Sequence, residues 1–535
     1  MREMGTKAPK MGGHLRMSPV DRLIARIDPI RGFRRMEARL ALRVLDKTAA
    51  RERAYEGAAR GRRTEGWMTT GSSANAEVST SIAILRNRAR DLVRNNPFAG
   101  RGVDIIANNT VGGTGMNWKI EGPKAAAVEL ATELWKKWST STDVDADGIH
   151  NLAGLQDLVM RATPESGEAL IRRRIRRASF GKEIPLQLQV LEGDYLDHSR
   201  DMDGYSNGGR VYNGIRYDKR GQVVSYFLHK THPGDLRGWL PRGSVEIEAK
   251  HIAHVFMANR PGQNRGVTWL APVILRLRDL DEFQDATLFR QKLANCFTGF
   301  VFNSGATEQA IAKSKIDTLE PGAIEHLNPG EEIKLANPPG APGYPDYVRA
   351  ILHEVATGLG VTYAQLTGDL SQVNFSSSRM GWLEFNRNVQ KWQQKLLVPQ
   401  FLNRVFQWFL EAISLSHNVD IEGIKIRWTA PRREMIDPSK EIEPLRKAVR
   451  AGFVSWPEAV RQAGYDPAAV LEEIQQHNAE LDQREIILDT DPRKVTISGN
   501  SSGVEEGGLG DEGNNDGAGK PDPDEDGKGD PDDQE

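Results

Sequence analysis

The stretch from Leu85 to Gly115 constrains the fold of this chain more than any other. Ser79 or Thr80 can cap a helix, rich in arginine, whose apolar positions recur at helical spacing: Ile82, Leu85, Ala89 and Leu92. Because Pro97 disfavours helical geometry at Asn96, the sequence predicts that this helix ends there.

Glycines at 112, 113 and 115 follow a second predicted helix, Phe98–Asn108, and permit a sharp turn into a strand at Met116–Ile120. A phosphate-binding loop requires the reverse order, in which a strand leads through glycines into a helix. The stretch therefore favours a structural role over a nucleotide site.

Charge is balanced overall but segregated at the two ends. The chain has 71 Lys and Arg against 73 Asp and Glu, a formal net charge of −2. Residues 1–66 hold 17 basic and 8 acidic residues, a net of +9, whereas residues 505–535 hold 2 and 13, a net of −11. A sequence-reading DNA-binding domain is usually basic, so the neutral middle does not favour that class and is what many ordinary proteins have.

Composition is that of a multidomain globular protein. Hydrophobic residues make up 39% and charged residues 27% of the chain, as in soluble globular proteins. A chain of 535 residues is too long for a single hydrophobic core and is expected to divide into several domains. No apolar run approaches the ~20 residues of a membrane span, and the basic, glycine-broken N-terminus lacks the apolar core of a secretory signal. Cys296 is the only cysteine, which excludes an internal disulfide and fits assembly in a reducing cytoplasm.

Residues 78–270 mix helices with strands, and helices segregated from antiparallel strands predict an α+β domain. Period-two alternation predicts strands at Ala169–Ile175 and Val245–Met257. Val211–Tyr217 and Val223–Leu228 flank the turn Asp218–Gly221 and predict a hairpin.

Long helices are predicted elsewhere. Ala271–Phe297 contains neither Gly nor interior Pro, and a helix over it would be roughly 40 Å long, with Ile274, Leu277, Leu280 (or Asp281) and Leu288 on one face. A short helix is predicted at Glu308–Asp317 in the insert that follows. Another is predicted at Tyr347–Leu359, and the longest runs from about Arg379 to Ser414, with Pro399 as a kink or interruption. Its buried stripe is predicted to be Trp382, Phe385, Val389, Trp392 and Leu396.

The two ends differ in what they predict. An amphipathic helix is predicted at Pro29–Ala54, whose basic face contacts DNA or protein or is simply solvated. From Gly499 onward, Gly, Asp, Asn and Pro predominate, and such a tail is predicted to be disordered because it buries too little apolar surface.

Acidic and histidine side chains cluster in one part of the sequence: Glu192, Asp194, Asp197, His198, Asp201 and Asp203. Because metal-dependent hydrolysis needs carboxylates that converge on one point, a metal-dependent nuclease is one hypothesis. Asn207, Gly208 and Gly209 follow, and this composition is typical of a solvated turn.

Other catalytic signatures are incomplete. His353-Glu354 begins a zinc-protease pattern, but Thr357 stands where the second histidine ligand is required. Neither a packaging-ATPase phosphate loop nor a Gly-x-Ser-x-Gly elbow occurs, and Cys296 beside Phe297 indicates a core side chain rather than a nucleophile. The sequence therefore predicts no catalytic residue, no cofactor and no metal.

Six passages, in consistent order across about residues 50–480, resemble the portal proteins of lambda-like tailed bacteriophages. They are the opening arginine helix, Glu192-Gly193-Asp194, Val211-Tyr212-Asn213-Gly214-Ile215, His251-Ile252-Ala253-His254, Arg260-Pro261-Gly262-Gln263-Asn264-Arg265-Gly266, and the run from Gln365 to Arg379. Any one of these motifs is weak, whereas the ordered set is specific.

The resemblance implies a multi-region α+β portal fold with long helices, assembled as a ring that is expected to be dodecameric. The implied regions are a basic N-terminal arm at 1–77, a wing at 78–267, a stem helix at 268–297, a clip at 298–345, a second stem helix at 346–367, a tunnel loop at 368–378, a tunnel helix and wing strand at 379–436, crown helices at 437–488 and a disordered acidic tail at 489–535.

The tunnel loop carries the candidate site residues. By the resemblance, the side chains that line the narrowest part of a DNA channel are Gln372, Asn374, Ser376, Ser377 and Ser378. Serines before a helix also commonly cap it, and both roles are compatible.

The resemblance also implies a place in the virion and a set of partners. The chain would sit at the capsid portal vertex, after assembly in the host cytoplasm, and serve genome packaging, head–tail connection and DNA ejection. Its partners would be other copies of itself, double-stranded viral DNA, the large subunit of terminase, head-completion or adaptor proteins, and capsid and scaffold proteins, with no membrane. The alternatives are the metal-dependent nuclease and a non-annular DNA-binding structural protein.

Overall fold

The computed structural model describes mainly residues 69–177, 180–205, 209–235, 243–296, 343–371, 375–431 and 438–488, with shorter pieces at 19–31, 300–303 and 331–334 and a few single residues. Residues 1–73 and 74–535 form two compact units. The described part of the first unit is chiefly one short helix, α1, at Pro19–Ile27. The helix predicted at Pro29–Ala54 lies largely outside the described residues.

The second unit is a mixture of helices and strands, which confirms the predicted α+β class. Its helices are α2 Ala74–Asn95, α3 Pro97–Val111, α4 Ala125–Thr140, α5 Leu152–Ser166, α6 Ile274–Cys296, α7 Tyr344–Leu359, α8 Tyr363–Thr367, α9 Phe375–Trp392, α10 Asn403–His417, α11 Pro438–Arg450, α12 Trp456–Gln462 and α13 Pro467–Gln483. Its strands are β1 Asn117–Glu121, β2 Glu168–Ile175, β3 Leu186–Glu192, β4 Met202–Tyr205, β5 Gly209–Tyr212, β6 Ile215–Tyr217, β7 Val223–His229, β8 Ser244–Glu248, β9 Ile252–Phe256, β10 Phe300–Asn303, β11 Glu331–Lys334 and β12 Lys425–Thr429.

The paired helices α2 and α3 form as the sequence predicts, although α2 begins at Ala74, before the predicted caps. The break between them is stabilised by Asn96, whose side-chain oxygen accepts hydrogen bonds from the backbone amides of Phe98 and Ala99 at 3.0 and 3.1 Å. After α3, Gly112 adopts a φ of 65°. A side chain there would also meet the ring of Pro431 at 2.8 Å, so both backbone and space require glycine.

Within the described residues, the strands form antiparallel sheets of two, two, three and five members, in the orders β1-β12, β10-β11, β3-β2-β9 and β4-β5-β6-β7-β8. Two predicted strands were wrong. The segment Val211–Tyr217 is itself a hairpin, because Asn213 and Gly214 take positive φ values of 52° and 77° and reverse the chain. The segment Val245–Met257 is divided by a short 3₁₀ turn into β8 and β9, which belong to different sheets.

A single large apolar core lies beneath the three-stranded sheet and the helices around it. Trp135 is completely buried at its centre, with ring centroids 4.8 Å from Phe409 and 5.3 Å from Phe406. A smaller cluster joins the three- and five-stranded sheets through Leu170, Leu196 and other residues. Aromatic edge-to-face packing therefore fixes α4 against α10.

The longest predicted helix is one helical run with a changed middle. Between α9 and α10, residues Gln393–Leu402 form wider π turns that contain Pro399, so the proline does interrupt the α-helical pattern as predicted. Phe385, Val389, Trp392 and Leu396 are buried as predicted, whereas Trp382 is only half-buried.

Other predicted elements form, but the burial of their side chains differs in part from the prediction. The helix predicted at Ala271–Phe297 forms as α6, but Leu288, predicted on its buried face, is 51% exposed. In the insert that follows, β10 and β11 pair as an antiparallel ribbon. The short helix predicted at Glu308–Asp317 and the side chain of Cys296 lie outside the described residues. Among the described helices, none is both long and apolar enough for a membrane span.

Candidate functional site

The predicted tunnel loop leaves the protein from a short, firmly capped helix, α8. The side chain of Thr362 accepts a hydrogen bond from the Gln365 backbone amide, and the Gln365 side chain accepts one from the Thr362 amide in return. At the other end, Gly368 adopts a φ of 74° and its amide donates to the carbonyl of Ala364. The start of the loop is therefore fixed in place.

The first residues of the loop are held by Asp369. Its carboxylate accepts a hydrogen bond from the Ser371 amide at 3.0 Å and one from the Tyr363 hydroxyl at 3.4 Å. The hydrogen bonds from Ser371 hold the pKa of Asp369 below its usual value. The ring of Tyr363 in turn stacks on His353 at a centroid distance of 4.2 Å.

The five predicted loop side chains fall outside what the structure describes. Gln372 and Asn374 lie in the undescribed segment 372–374. Ser376, Ser377 and Ser378 belong by backbone to the first turn of α9, but their side chains are not described. Their contact with DNA stays a prediction.

The helical run that receives the loop is anchored to the rest of the protein by buried polar bonds. The Gln393 side chain, 1% exposed, donates to the carbonyl of Thr110 in α3 at 2.8 Å. Gln400 accepts from the amide of Phe256 in β9 at 2.9 Å, and Trp408 donates to the carbonyl of Lys250 at 2.8 Å. The loop thus stands on a helix that is tied to the central sheet.

The second candidate site is a buried ionic cluster around Glu168, at the start of β2. This carboxylate is completely buried and accepts from the guanidinium of Arg265 at 2.5 and 3.0 Å and from Arg86 at 2.8 Å. His254 Nε2 and the Gly266 amide each lie 3.0 Å from its other oxygen. Two buried cations therefore share one buried anion.

The cluster extends outward along α2. Arg86 also contacts Asp194 at 3.2 Å, and Arg90 donates to both Asp194 at 2.6 Å and Glu192 at 2.7 Å. His232 lies 3.1 Å from the same oxygen of Glu192. Two arginines of the predicted arginine-rich helix, Arg86 and Arg90, thus bind buried or partly buried carboxylates rather than facing solvent.

Electrostatics agrees with this geometry. Burial alone would raise the pKa of Glu168, but the charge of Arg265 and the hydrogen bonds from His254 and Arg265 outweigh it and hold that pKa well below its ordinary value. Burial likewise opposes ionisation of Asp194, yet Arg86 and Arg90 lower its pKa. Both groups are therefore charged carboxylates at neutral pH.

Five of the six passages behind the family resemblance meet at this cluster. The arginine helix supplies Arg86, the second passage Asp194, the third the carbonyl of Asn213, the fourth His254 and the fifth Arg265. Gly193 is also required there, because a side-chain carbon at this position would lie 2.4 Å from an oxygen of Glu168. These five motifs, which are far apart in the sequence, thus all supply contacts to the same buried ionic cluster.

The metal ligands required by the nuclease hypothesis already have protein partners at this cluster. Glu192, Asp194 and His232 do bring ligand atoms within 4.8 Å of one another, but Arg90 already supplies the cation between the two carboxylates. Two other members of the predicted cluster have local partners instead. Asp197 accepts from Ser244 at 2.6 Å, and Asp201 accepts from the Asn213 amide at 2.6 Å. These two carboxylates therefore do not join Glu192 and Asp194 at one point.

Sequence reasoning missed the central residue of the cluster. Glu168 is the first residue of β2, directly after Gly167, and an acidic residue at such a position is ordinarily expected to be exposed to solvent. The one available signal was the absence of apolar alternation at that position, which by itself does not identify a buried anion.

Comparison with known proteins decides between the remaining hypotheses. Residues 60–393, more than half of the chain, match the family described as phage portal protein, lambda family. The chain belongs to the lambda family of phage portal proteins. This membership confirms the resemblance seen in the sequence and gives the chain the role of a phage portal protein, a structural component of the virion at the capsid portal vertex.

Individual relatives are distant. The chain is 25% identical to a probable portal protein of Halomonas phage phiHAP-1 over 73% of its own length and 79% of that protein. It is 22% identical to portal protein B of Escherichia phage lambda, covering 75% and 84%, and 23% identical to the portal protein of Escherichia phage N15, covering 78% and 89%. These portal proteins are therefore matched over most of their length.

Solved structures give a weaker likeness. A chain from the virion of the native gene transfer agent particle is 16% identical, with a TM-score of 0.44 over 72% of this chain and 94% of that one. A chain from the neck of the native gene transfer agent particle is 15% identical, with the same TM-score over 76% and 99%. The family assignment rests on the sequence match alone.

Proposed function

We propose that copies of this portal protein close into a ring, expected to have twelve members, and that the 368–378 loops border the channel through which double-stranded DNA passes. Family membership supports this proposal, together with one observation from the structure. The loop stands between a capped helix and a long helical run that is tied to the central sheet. Such a base holds a short loop at a fixed height against a moving duplex.

The chemistry of the loop suits sliding rather than gripping. Its amide and hydroxyl side chains offer weak, replaceable hydrogen bonds to phosphate oxygens. Lysine or arginine at these positions would add affinity and salt dependence for each phosphate neutralised. Residues 368–378 contain no basic side chain.

The remaining regions follow as parts of the same proposal. The wing is 78–267, the stem pairs 268–297 with 346–367, the clip is 298–345, and the crown is 437–488. The helix and strand at 379–436 join the tunnel loop to the wing. The clip would receive the large subunit of terminase during packaging and head-completion or adaptor proteins afterwards, while capsid and scaffold proteins surround the ring.

The work proposed for the chain is mechanical, without bond chemistry of its own. Portal families are structural, and the carboxylates of the nuclease hypothesis already have arginine and backbone partners in this protein. Incubation of the assembled protein with DNA and Mg²⁺ is expected to leave the DNA intact. Cleavage that disappears on Asp194→Ala would contradict this part of the proposal.

The tunnel assignment is tested by the double substitution Gln372→Ala with Asn374→Ala in assembled particles. We expect normal ring assembly, seen by electron microscopy, but an altered rate or yield of DNA packaging. The exposed Gln394→Ala is the matched control and should leave both unchanged. Packaging equal to wild type in correctly assembled double-mutant particles would remove the loop from the channel.

A further inference from the structure

Strand β2 carries arginines whose side chains have no acidic partner among the described residues. Arg172 and Arg174 are half-buried, and neither side chain makes a hydrogen bond or an ion pair with any described residue. Arg176 continues the row and reaches only the amide oxygen of Gln187, at 2.6 Å, and the ring of Phe180. Alternate residues of a strand share one face, so the three guanidinium groups line one side of the sheet.

The opposite face of the same strand shows how unusual this is. Arg173 points the other way and is fully engaged, by Glu411, by His251 at 3.1 Å and by the ring of Trp408. On the arginine row, by contrast, the strand neighbours across β3 are the uncharged Gln187 and Gln189. Burial and then the charge of Arg174 lower the pKa of Arg172. A desolvated cation without an anion is unfavourable, so this face is suited to an anionic ligand.

The chain contains a segment with the complementary pattern. Asp522, Asp524 and Asp526 alternate along the sequence Pro-Asp-Pro-Asp-Glu-Asp, within the region 505–535 of net charge −11. In an extended peptide, alternate side chains lie about 6.6–6.8 Å apart, the same repeat as that of arginines two apart on a strand. A proline also favours an extended backbone at the residue before it.

The intervening chain is long. Arg493, the last described residue, pairs with Asp482 in α13, and 28 residues lead from it to Pro521. Such a length spans up to about 95 Å when fully extended. A tether of this kind also holds its end at a local concentration on the order of millimolar.

We propose that the acidic C-terminal segment of this chain docks on the arginine face of β2, with Asp522, Asp524 and Asp526 opposite Arg172, Arg174 and Arg176. The segment supplies the counter-charge that the folded wing lacks, and it covers a cationic face that would otherwise attract nucleic acid without regard to sequence. The pairing is independent of ring formation and of the tunnel loop.

The test uses the full-length chain with its own tail neutralised by Asp522→Asn, Asp524→Asn and Asp526→Asn. A fluorescent peptide of residues 519–535 is titrated into this protein, and binding is followed by anisotropy. We expect saturable binding that weakens with salt, and binding about tenfold weaker to the wild-type chain, whose own tail competes. Equal peptide binding by the two proteins would overturn the proposal.

Matched variants locate the contact on both sides. Arg172→Gln with Arg174→Gln should weaken peptide binding about tenfold, whereas Arg220→Gln in an exposed turn should change it little. On the peptide, which cannot misfold the protein, neutralising Asp522, Asp524 and Asp526 should weaken binding by a similar factor. Neutralising Asp530, Asp532 and Asp533 removes the same charge and should weaken it less.

Two results would contradict the pairing. Equal losses for the two peptide variants would show attraction to acidic charge in general rather than to the alternating segment. Binding of duplex DNA at Arg172 and Arg174 without any binding of the peptide would assign the face to nucleic acid. Either result overturns the proposal while leaving the portal assignment untouched.

Discussion

Glu168 and Trp135 are both completely buried, yet their surroundings are built from opposite kinds of side chain. Around Glu168, three segments distant in sequence meet through charges, at distances of 2.5 to 3.0 Å. Around Trp135, helices α4 and α10 meet through aromatic rings with centroids about 5 Å apart. The first region fixes the start of β2, and the second fixes α10, the last part of the helical run that begins with α9.

The difference lies in what each region tolerates. An apolar core accepts a change of shape if total volume is kept, because dispersion and burial are not directional. A buried ion cluster accepts no loss of a partner, since the remaining charges stay desolvated and unpaired. The charged region is therefore expected to be the less tolerant of conservative substitution, and the following variants test that contrast.

The largest effect is expected for Glu168→Gln. This change keeps the size of the side chain but leaves Arg265 buried without its anion and Arg86 with Asp194 alone, and it should lower the free energy of unfolding by about 4 kcal/mol. Chemical denaturation of the purified protein measures it. The control Glu384→Gln, whose pair with Arg387 is exposed, should cost about 0.5 kcal/mol or less. Equal losses of unfolding free energy for the two variants would contradict the view that the buried ionic cluster tolerates substitution poorly.

A smaller effect with a pH signature is expected for Asp194→Asn, at about 2 kcal/mol near neutral pH. The folded pKa of Asp194 lies below its ordinary value, so its contribution is complete above the unfolded pKa and is lost as pH falls through the folded pKa. The gap in stability between wild type and variant should therefore narrow on acidification. The exposed Asp279→Asn serves as control. A gap that widens in acid would mean that Asp194 is not held as an anion.

Next comes Gln393→Ala, which removes the buried donor to the carbonyl of Thr110 and should cost about 1.5 kcal/mol. The neighbouring Gln394 is exposed, and Gln394→Ala should lie within about 0.5 kcal/mol of wild type. Thermal and denaturant unfolding of the pair measure the difference. If both variants unfold alike, the helical run is not anchored to α3 through this bond.

The smallest effect is expected in the apolar region. Leu397 is completely buried, but Leu397→Met nearly conserves volume and should cost about 1 kcal/mol or less. Leu415→Met, 88% exposed in α10, provides the baseline. A loss as large as that of Glu168→Gln would mean that the aromatic region is no more tolerant than the ionic one.

The same contrast explains how much the sequence could predict. The helices of the apolar region, and the burial of Phe385, Val389 and Trp392, follow from local periodicity because each signal lies within a few turns. The cluster at Glu168 joins residues 82 to 97 positions apart, and no local pattern carries that information. The family resemblance detected its members as separate motifs without showing that they meet.

Errors in the strands had a local cause. Asn213-Gly214 is a strong turn signal, and it reverses the chain between β5 and β6. Because apolar and aromatic residues flank this pair on both sides, the pattern from Val211 to Tyr217 also fits one continuous strand. The 3₁₀ turn at Ala249–His251 contains no glycine or proline, so the sequence does not indicate that the strand is interrupted there.

Electron microscopy of the purified full-length protein, negatively stained over a range of concentrations and salt, tests the central proposal most directly. Assembly into closed rings with an axial opening wide enough for a DNA duplex is the expected result. Folded protein that shows only separate single subunits under every condition would contradict it.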